Sequence, residues 1–289
     1  MPKATATLAV PAADKKRGIP FWKKSYTFDV GLVMLVLILF VAFFPGLLTH
    51  FSPSVQDPNA ILRPPNAQHI FGTDNYGRDI FSRILWGTRI DLEIGVLAVV
   101  IPFITGSLIG LLAGYYGGWI DSLFMRILDI FMAFPFTILV IAIVAILGSG
   151  IQNLYIAIWL VGWKEYARLV RSEAMVIKNS EYIEAAKTLG YSDGRILFRH
   201  IFPNAVNSAI VYAVSDVMMC ILVGASMSFL GLGVQPPTPE WGAIISEGRA
   251  YIANAWWICT FPGLALAVTG ISFSLLGDGL FELLNIKEH

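Results

Sequence analysis

The longest uncharged stretch of the sequence runs from residue 130 to residue 163 and reads IFMAFPFTILVIAIVAILGSGIQNLYIAIWLVGW. A hydrocarbon core about 30 Å thick is crossed by about 20 apolar residues in α-helical form, so this stretch is too long for one crossing. Its middle holds a Gly-Ser-Gly turn signal at residues 148–150, followed by the polar Gln152 and Asn153. The stretch therefore predicts two membrane-spanning helices joined by a short turn.

Further uncharged stretches lie on both sides of this one, at residues 30–49, 94–120, 217–239 and 250–277. Charged residues make up only 14% of the 289 residues, well below the roughly 25% of soluble domains. We therefore exclude a soluble protein and predict an all-α integral membrane protein with six transmembrane helices. The predicted spans are about 30–50, 92–116, 123–147, 151–172, 205–231 and 254–280.

Lysine and arginine are unevenly distributed between the two sides of these spans. With the N-terminal tail inside, 15 of the 20 lysines and arginines lie on the cytoplasmic side. The bias predicts that both termini are cytoplasmic. Zero net charge gives no indication of a nucleic-acid partner. The predicted regions are a cytoplasmic tail at 1–29 and a transmembrane domain at 30–289, with outer loops at 51–91 and 232–253 and a cytoplasmic loop at 164–204.

Four glycines in and just after the second predicted span recur every fourth residue, at Gly106, Gly110, Gly114 and Gly118. Small residues at this spacing let two helix backbones approach closely in lipid. The pattern is compatible with packing inside one helix bundle or with contact to a second membrane subunit.

The cytoplasmic loop contains the boundary signals of a short helix. Ser180 is a favoured N-cap residue, and Glu181 and Glu184 follow at the end where a helix favours carboxylates. Gly190 is suited to close such a helix. We predict a helix at 181–189, which either docks in a groove of another protein or lies on the bilayer surface.

A second short helix is predicted directly after it. Ser192 or Asp193 can cap it, and Pro203 is expected to end it just before the fifth span. Its apolar side would carry Ile196, Leu197 and Ile201.

The segment from Glu184 to Asn204 reads EAAKTLGYSDGRILFRHIFPN and resembles the EAA loop of bacterial ABC-importer permeases. In that motif Glu-Ala-Ala is followed by a glycine four residues after the second alanine and a proline thirteen residues later. The matching residues are Glu184, Ala185, Ala186, Gly190 and Pro203. The usual Ile and Leu near the end of the motif are replaced by His200 and Phe202.

Three other segments resemble the C-type permease subunit of the dipeptide/oligopeptide (peptide/nickel) branch of these importers. They read FGTDNYGRD at 71–79, AGYYGGWID at 113–121 and SFLGLGVQPPTPEWG at 228–242. Together the similar segments cover most of residues 25–285.

The resemblance implies a multi-pass permease of the bacterial inner membrane with a type I ABC-importer fold. It implies ATP-driven, binding-protein-dependent import of di- or oligopeptides, with metal chelates, glutathione or opines as alternative cargo. The chain itself would be no enzyme and would hold neither catalytic residues nor a metal. Its partners would be a homologous second permease subunit in a heterodimer, two cytoplasmic ATPase subunits that bind ATP and Mg, and an extracytoplasmic binding protein. The expected coupling residues are Glu181, Glu184, Ala185, Ala186, Gly190 and Pro203.

Two further sets of charged residues are candidate site residues. Asp216 is the one carboxylate near the middle of a predicted span, and intramembrane acids are commonly functional. It either lines the translocation path and meets a cationic cargo group, or accepts hydrogen bonds from Ser208, Ser215 or a partner helix. In the first outer loop, the set Asp74, Arg78, Asp79 and Arg83 either contacts the binding protein or forms internal pairs.

Two other classes of membrane protein fit the sequence less well. A secondary transporter typically shows broken helices in an inverted repeat or several buried ionisable groups, whereas this sequence has one buried acid and no clear repeat. A membrane-embedded hydrolase needs a nucleophile and a base at span depth, and all four histidines lie away from the span centres. The chain also lacks a G-x-x-x-x-G-K-[ST] phosphate loop.

Overall fold

The computed structural model describes residues 25–284, which form helices and connecting loops. Most of the predicted tail at 1–29 and the last five residues lie outside this described part. Within it, no β-strand forms, and Thr73 and Asp79 make an isolated β-bridge. The helices are α1 Tyr26–Phe43, α2 Pro45–Leu48, α3 Ile80–Tyr116, α4 Gly118–Met132, α5 Phe136–Leu147, α6 Ile151–Ile177, α7 Glu181–Thr188, α8 Asp193–Ile196, α9 Phe202–Phe229, α10 Trp241–Gly248 and α11 Trp257–Leu284.

Four helical segments of the described chain are long and apolar enough to cross a membrane: α1, α3, the segment Asp193–Phe229 that includes α9, and α11. The pair α4 and α5 qualifies as a fifth span, although the two helices are bent by 85°. The bend lies at Pro135, which cannot donate a backbone hydrogen bond and caps the start of α5.

Of the six predicted spans, the one that these criteria leave out is the helix α6. Its first half is apolar, but its second half carries Lys164, Glu165, Arg168, Arg171 and Glu173. The apolar part alone is shorter than the about 20 residues of a complete crossing, so a test of length and composition leaves this helix out.

The glycine stripe joins α3 to α6, the neighbour against which α3 packs most extensively. A Cβ added at Gly106, Gly110 or Gly114 would press on the backbone carbonyl oxygen of Trp163, Ala167 or Arg171 respectively. A Cβ at Gly118 would meet no atom within 4 Å. Three of the four glycines therefore serve packing inside this chain. The glycine pattern thus reflects packing inside one helix bundle.

The helix α3 also defines two ends of the molecule. Its 37 residues span about 55 Å at 1.5 Å per residue. We call the end with residues 51–79 and 230–256 the loop end, because α3 starts there. We call the opposite end, with residues 178–201, the motif end. Both predicted outer loops contain helix. The helix α3 begins at Ile80, inside the loop predicted at 51–91, and α10 lies inside the loop predicted at 232–253.

Candidate functional site

The short helix at the motif end closes with a left-handed glycine, as predicted. α7 covers Glu181–Thr188, one residue shorter than expected, and Gly190 has φ +76°. The amide of Gly190 donates to the carbonyl of Lys187 at 2.9 Å, and the amide of Tyr191 donates to that of Ala186 at 3.1 Å. This pair of bonds is a Schellman motif, which satisfies the last carbonyls of the helix.

Ser180 occupies the N-cap position of α7 but does not cap it with its side chain. Its hydroxyl donates to the carbonyl of Ile177 at 2.6 Å and accepts no bond from an amide of α7. Only the backbone carbonyl of Ser180 serves the new helix, accepting from the Glu184 amide at 3.2 Å. The hydroxyl instead ties the turn to the end of α6, because the turn brings that carbonyl within its reach.

The two faces of α7 differ in exposure. Ile183 and Ala186 are buried against the protein. Glu181, Glu184 and Ala185 are exposed, as are the large apolar side chains Tyr182 and Leu189, with Leu189 at 73%. Residues 182, 185 and 189 share one side of a helix, since three- and four-residue steps return to the same face. The helix thus presents an apolar stripe flanked by carboxylates.

The second short helix does not end at Pro203. α8 passes through a π-helical turn at Leu197–Ile201 directly into α9. Pro203 lies in the first turn of α9, where a proline is tolerated, and the π-turn before it accommodates the altered hydrogen bonding. The expected break is absent, so the motif end is continuous with the long helix α9. Ile196, Leu197 and Ile201 are buried, as expected for the apolar side.

Side-chain hydrogen bonds connect the motif end to the end of α3, and none of them was predicted. The ammonium group of Lys178 donates to the carbonyl of Gly114 at 2.7 Å, at a helix end that favours cations. The hydroxyl of Tyr115 donates to a carboxylate oxygen of Asp193 at 2.6 Å. Since the partners are 64 and 78 residues apart, only the fold brings them together.

Asp216 makes a hydrogen bond inside the bundle, but not to either predicted serine. Its Oδ2 accepts from the hydroxyl of Tyr166, on α6, at 2.7 Å. Tyr166 is fully buried, so the acid lies beside the α6–α9 contact. Ser208 instead donates to Glu173 at 2.8 Å. The hydrogen-bonding interpretation therefore describes this conformation, with a tyrosine as the donor.

The charged set of the first predicted outer loop forms a buried network. Asp74 Oδ2 lies 2.6 Å from Arg78 Nε and 2.6 Å from Arg83 Nη1. Glu247 Oε2 lies 2.9 Å from Arg78 Nη2 and 2.7 Å from Arg83 Nη2. Two carboxylates thus alternate with two guanidinium groups. Glu247 was missed by sequence reasoning, because it lies in α10, 169 residues further along the chain than Arg78.

Asp79, the remaining member of this set, has a different partner. Its Oδ1 accepts from the amide of Ser82 at 2.7 Å and caps α3, and its Oδ2 lies 2.9 Å from Nδ1 of His69. The side chains of Asp74, Arg78, Asp79 and Arg83 are all buried. In this conformation their charges are paired inside the loop end and are not exposed to another protein.

A second pair of buried carboxylates holds the start of α10. Glu240 accepts from the amides of Gly242 and Ala243 at 2.9 and 2.7 Å, and Asp91 accepts from the amide of Trp241 at 3.2 Å. Burial raises the pKa of the Glu240 carboxyl above its ordinary value, although the two amide bonds oppose the shift. This contact connects α3 to the segment after Pro239.

Comparison with known proteins assigns the chain to a family. Residues 106–287 match the family described as binding-protein-dependent transport system inner membrane component. The dipeptide transport system permease protein DppC of Alkalihalophilus pseudofirmus is 45% identical over 265 residues, 92% of this chain and 87% of the relative. The glutathione transport system permease protein GsiD of Pectobacterium atrosepticum is 43% identical over 271 residues, 92% of this chain and 90% of the relative. These matches confirm the resemblance seen in the motifs, and the chain belongs to the inner-membrane permease subunits of binding-protein-dependent ABC importers.

Proposed function

We propose that this permease subunit receives the motion of a cytoplasmic ATPase through α7 and uses it to import di- or oligopeptides. The observation that carries the proposal is the geometry of α7. It is a short helix closed by Gly190. One face is exposed, and the opposite face, with Ile183 and Ala186, is buried against the protein. Such a helix can seat its exposed side chains in a groove of a partner while its rear face transmits force to the protein.

The exposed face of α7 has the chemistry of a docking surface. Its apolar stripe of Tyr182, Ala185 and Leu189 supplies surface to bury, and Glu181 and Glu184 supply charges for orientation. Pro203 would not contact the ATPase in this proposal. It lies in the first turn of α9 and would shape the connection between the motif end and that span.

The proposal includes the rest of the assembly. A homologous second permease subunit would complete the pore as a heterodimer, and two ATPase subunits would bind ATP and Mg, leaving this chain with no cofactor, no metal and no catalytic residue. Six spans with both termini in the cytoplasm would place residues 1–29 and 164–204 inside and residues 51–91 and 232–253 outside. The lysine and arginine bias supports this orientation, and α6 would be the fourth of the six spans, with its charged second half shielded by its neighbours.

An extracytoplasmic binding protein would dock at the loop end and release cargo into the pore. The buried network of Asp74, Arg78 and Arg83 would hold that surface in shape, with Asp79 fixing the start of α3, so their contribution to binding would be indirect. Asp216 would line the path when α6 and α9 separate, exchanging the Tyr166 hydroxyl for a cationic group of the cargo such as a peptide amino terminus.

Peptide cargo is supported by the relatives, whose names state dipeptide and glutathione transport. Glutathione, metal chelates and opines are the alternatives within the same importer class. The ligand that co-purifies with the cognate binding protein, identified by mass spectrometry, decides among them. An ion-coupled secondary transporter is the alternative from another class, and uptake that survives ATP depletion but stops with an uncoupler would favour it.

The test of docking replaces an apolar residue of the stripe with a charge. We expect Leu189→Asp to leave the permease in the membrane but to abolish co-purification of the ATPase subunits. Ile252→Asp is the matched control, since Ile252 is also a large apolar residue, 59% exposed, but lies at the loop end. Full retention of the ATPase by Leu189→Asp, or equal loss in both variants, would refute docking through α7.

A further inference from the structure

Three neighbouring helices cover most of the second half of α6. Tyr166 contacts α9 through its hydrogen bond to Asp216, Ala167 packs against α3, and Arg171 forms an ion pair with α4. Since each residue of an α-helix turns by about 100°, these three contacts occupy about 140° of the circumference of α6. The opposite side of this half is therefore the one that the three helices leave open.

The open side carries polar and charged residues. Glu165, Arg168 and Ser172 are separated by three and four residues, so they share one side of the helix, which we call the free face of α6. The side chain of Arg168 is 58% exposed and that of Glu165 is 29% exposed. The free face thus presents a charged pair to whatever lies beside this subunit.

The free face lies within the depth of the membrane span. Ala167, next to Arg168, packs on Gly110 of α3, which belongs to the uncharged stretch that begins at residue 94. Gly110 is about 24 Å from that beginning and about 9 Å from the end of α3 at Tyr116. Charges at such a depth are costly against lipid and face a bundle interior or a water-filled cavity. We therefore expect the free face to line a water-filled cavity.

The guanidinium group of Arg168 has donors left for a ligand. Its Nη2 donates to Oε2 of Glu165 at 3.2 Å, which is the one hydrogen bond that it makes within residues 25–284. An arginine side chain carries five N–H donors, and a carboxylate fits them through two parallel bonds. Exposed ion pairs contribute little stability, so the pair with Glu165 offers little resistance to an incoming carboxylate.

The free face is also close to the acid proposed for the translocation path. The charge of Glu165 acts on Asp216, and the charge of Arg168 acts on Tyr212, one helical turn from Asp216 on α9. An extended dipeptide carries its amino and carboxyl groups about 7 Å apart. A zwitterionic cargo would thus meet both signs of charge within a short part of the path.

We propose that Arg168 binds the carboxylate of the cargo in the translocation path and so favours cargo with a free carboxyl terminus. This inference rests on the proposed import of peptides and adds the group that recognises the end opposite to the amino terminus. The positive charge and the unused donors of Arg168 complement a carboxylate, and its position on the free face makes it reachable from a water-filled cavity.

The experiment measures uptake into proteoliposomes that contain the complete importer complex, with ATP and saturating loaded binding protein. We expect Arg168→Gln to import labelled dialanine about tenfold more slowly, because a hydrogen bond to a charged group is lost. Arg168→Lys should recover part of the rate, since lysine keeps the charge but not the fork. Dialanine amide, which lacks the carboxylate, should enter at the same rate with wild type and with Arg168→Gln.

Glu165→Gln is the matched control, because it breaks the same ion pair and leaves the cation in place, so it should keep the uptake of dialanine. Unchanged dialanine uptake in Arg168→Gln, an equal loss in Glu165→Gln, or an equal loss for the amide would overturn the proposal. Loss of the second permease subunit from Arg168→Gln would also overturn it, because that result assigns the free face to a protein contact. A wild-type complex that imports neither compound would overturn the peptide cargo and this inference with it, whereas the other outcomes leave the cargo intact.

Discussion

Replacing Gly190 with valine probes the end of α7 without disturbing its neighbours. Gly190 has φ +76°, and a Cβ built on it meets no atom within 4 Å. The Cβ of valine would therefore meet open space, and we expect the main cost to come from the backbone. An L-residue in the left-handed region pays about 1–2 kcal/mol, with β-branched residues at the upper end.

This cost is comparable with what closes the helix. The Schellman bonds from the amides of Gly190 and Tyr191 stabilise the closed end by about 0.5–1.5 kcal/mol each. Gly190→Val should therefore bring the closed and open forms of the α7 end close to balance. A partner that docks only on the closed form would lose up to about 2 kcal/mol of binding free energy, or about 30-fold in affinity.

The assay is ATP hydrolysis stimulated by loaded binding protein in proteoliposomes, together with uptake, at equal amounts of assembled permease. We expect Gly190→Val to lose most of the stimulation and Gly190→Asn to keep it, because asparagine tolerates a positive φ. Gly194→Val is the matched control. Gly194 also has open space around it, but its backbone is not left-handed.

Two results would refute the reasoning. Normal stimulation and uptake in Gly190→Val would show that the closed end of α7 is not needed for coupling. An equal loss in Gly194→Val would show that added bulk anywhere in the loop disturbs the partner, and that the sign of φ is irrelevant.

Three further variants test the other contacts. Tyr115→Phe removes the bond to Asp193, and we expect uptake per ATP hydrolysed to fall at near-normal hydrolysis, whereas an unchanged ratio of the two rates would count against the link. Arg83→Met leaves the buried Asp74 with one partner fewer, and since breaking a buried ion pair costs about 3–5 kcal/mol, the thermal unfolding midpoint of the detergent-solubilised permease should drop clearly. An unchanged midpoint would contradict that network. Asp216→Asn removes the charge but keeps an acceptor, so we expect a normal midpoint and reduced uptake of peptides with a free amino terminus, and unchanged uptake of every cargo would remove Asp216 from the path.

The apolar helices were predictable from sequence because their signal is local. Uncharged stretches of span length indicated α1, α9 and α11 to within a few residues at most ends. The beginning of α3 was placed twelve residues too late, at 92 instead of 80. The intervening residues include Arg83, a buried charge that is paired with Asp74 and Glu247, and hydropathy treats a paired charge like a solvated one.

The candidate site was predictable to the same extent. Gly190 could be placed at the end of α7 because a helix stop depends on neighbouring residues alone. The contacts of Lys178 with Gly114 and of Arg78 with Glu247 join residues 64 and 169 positions apart. Such pairs depend on which helices pack together, and no pattern within one segment contains that information.

The helix α3 connects the features that are separate patterns in the sequence. At the motif end Tyr115 binds the segment after α7, and at the loop end the indole of Trp241 donates to the carbonyl of Ile84 at 3.1 Å. Between them, Gly106 and Gly110 hold α6 against its backbone, and α6 leads into α7 after three residues. Because no flexible linker intervenes, we expect a displacement of α7 to move α6 and α3 together and so to reach the loop end. The proposed docking helix, the glycine stripe and the buried ion network then belong to one mechanical unit, and we expect loosening any of them to lower the transport obtained per ATP.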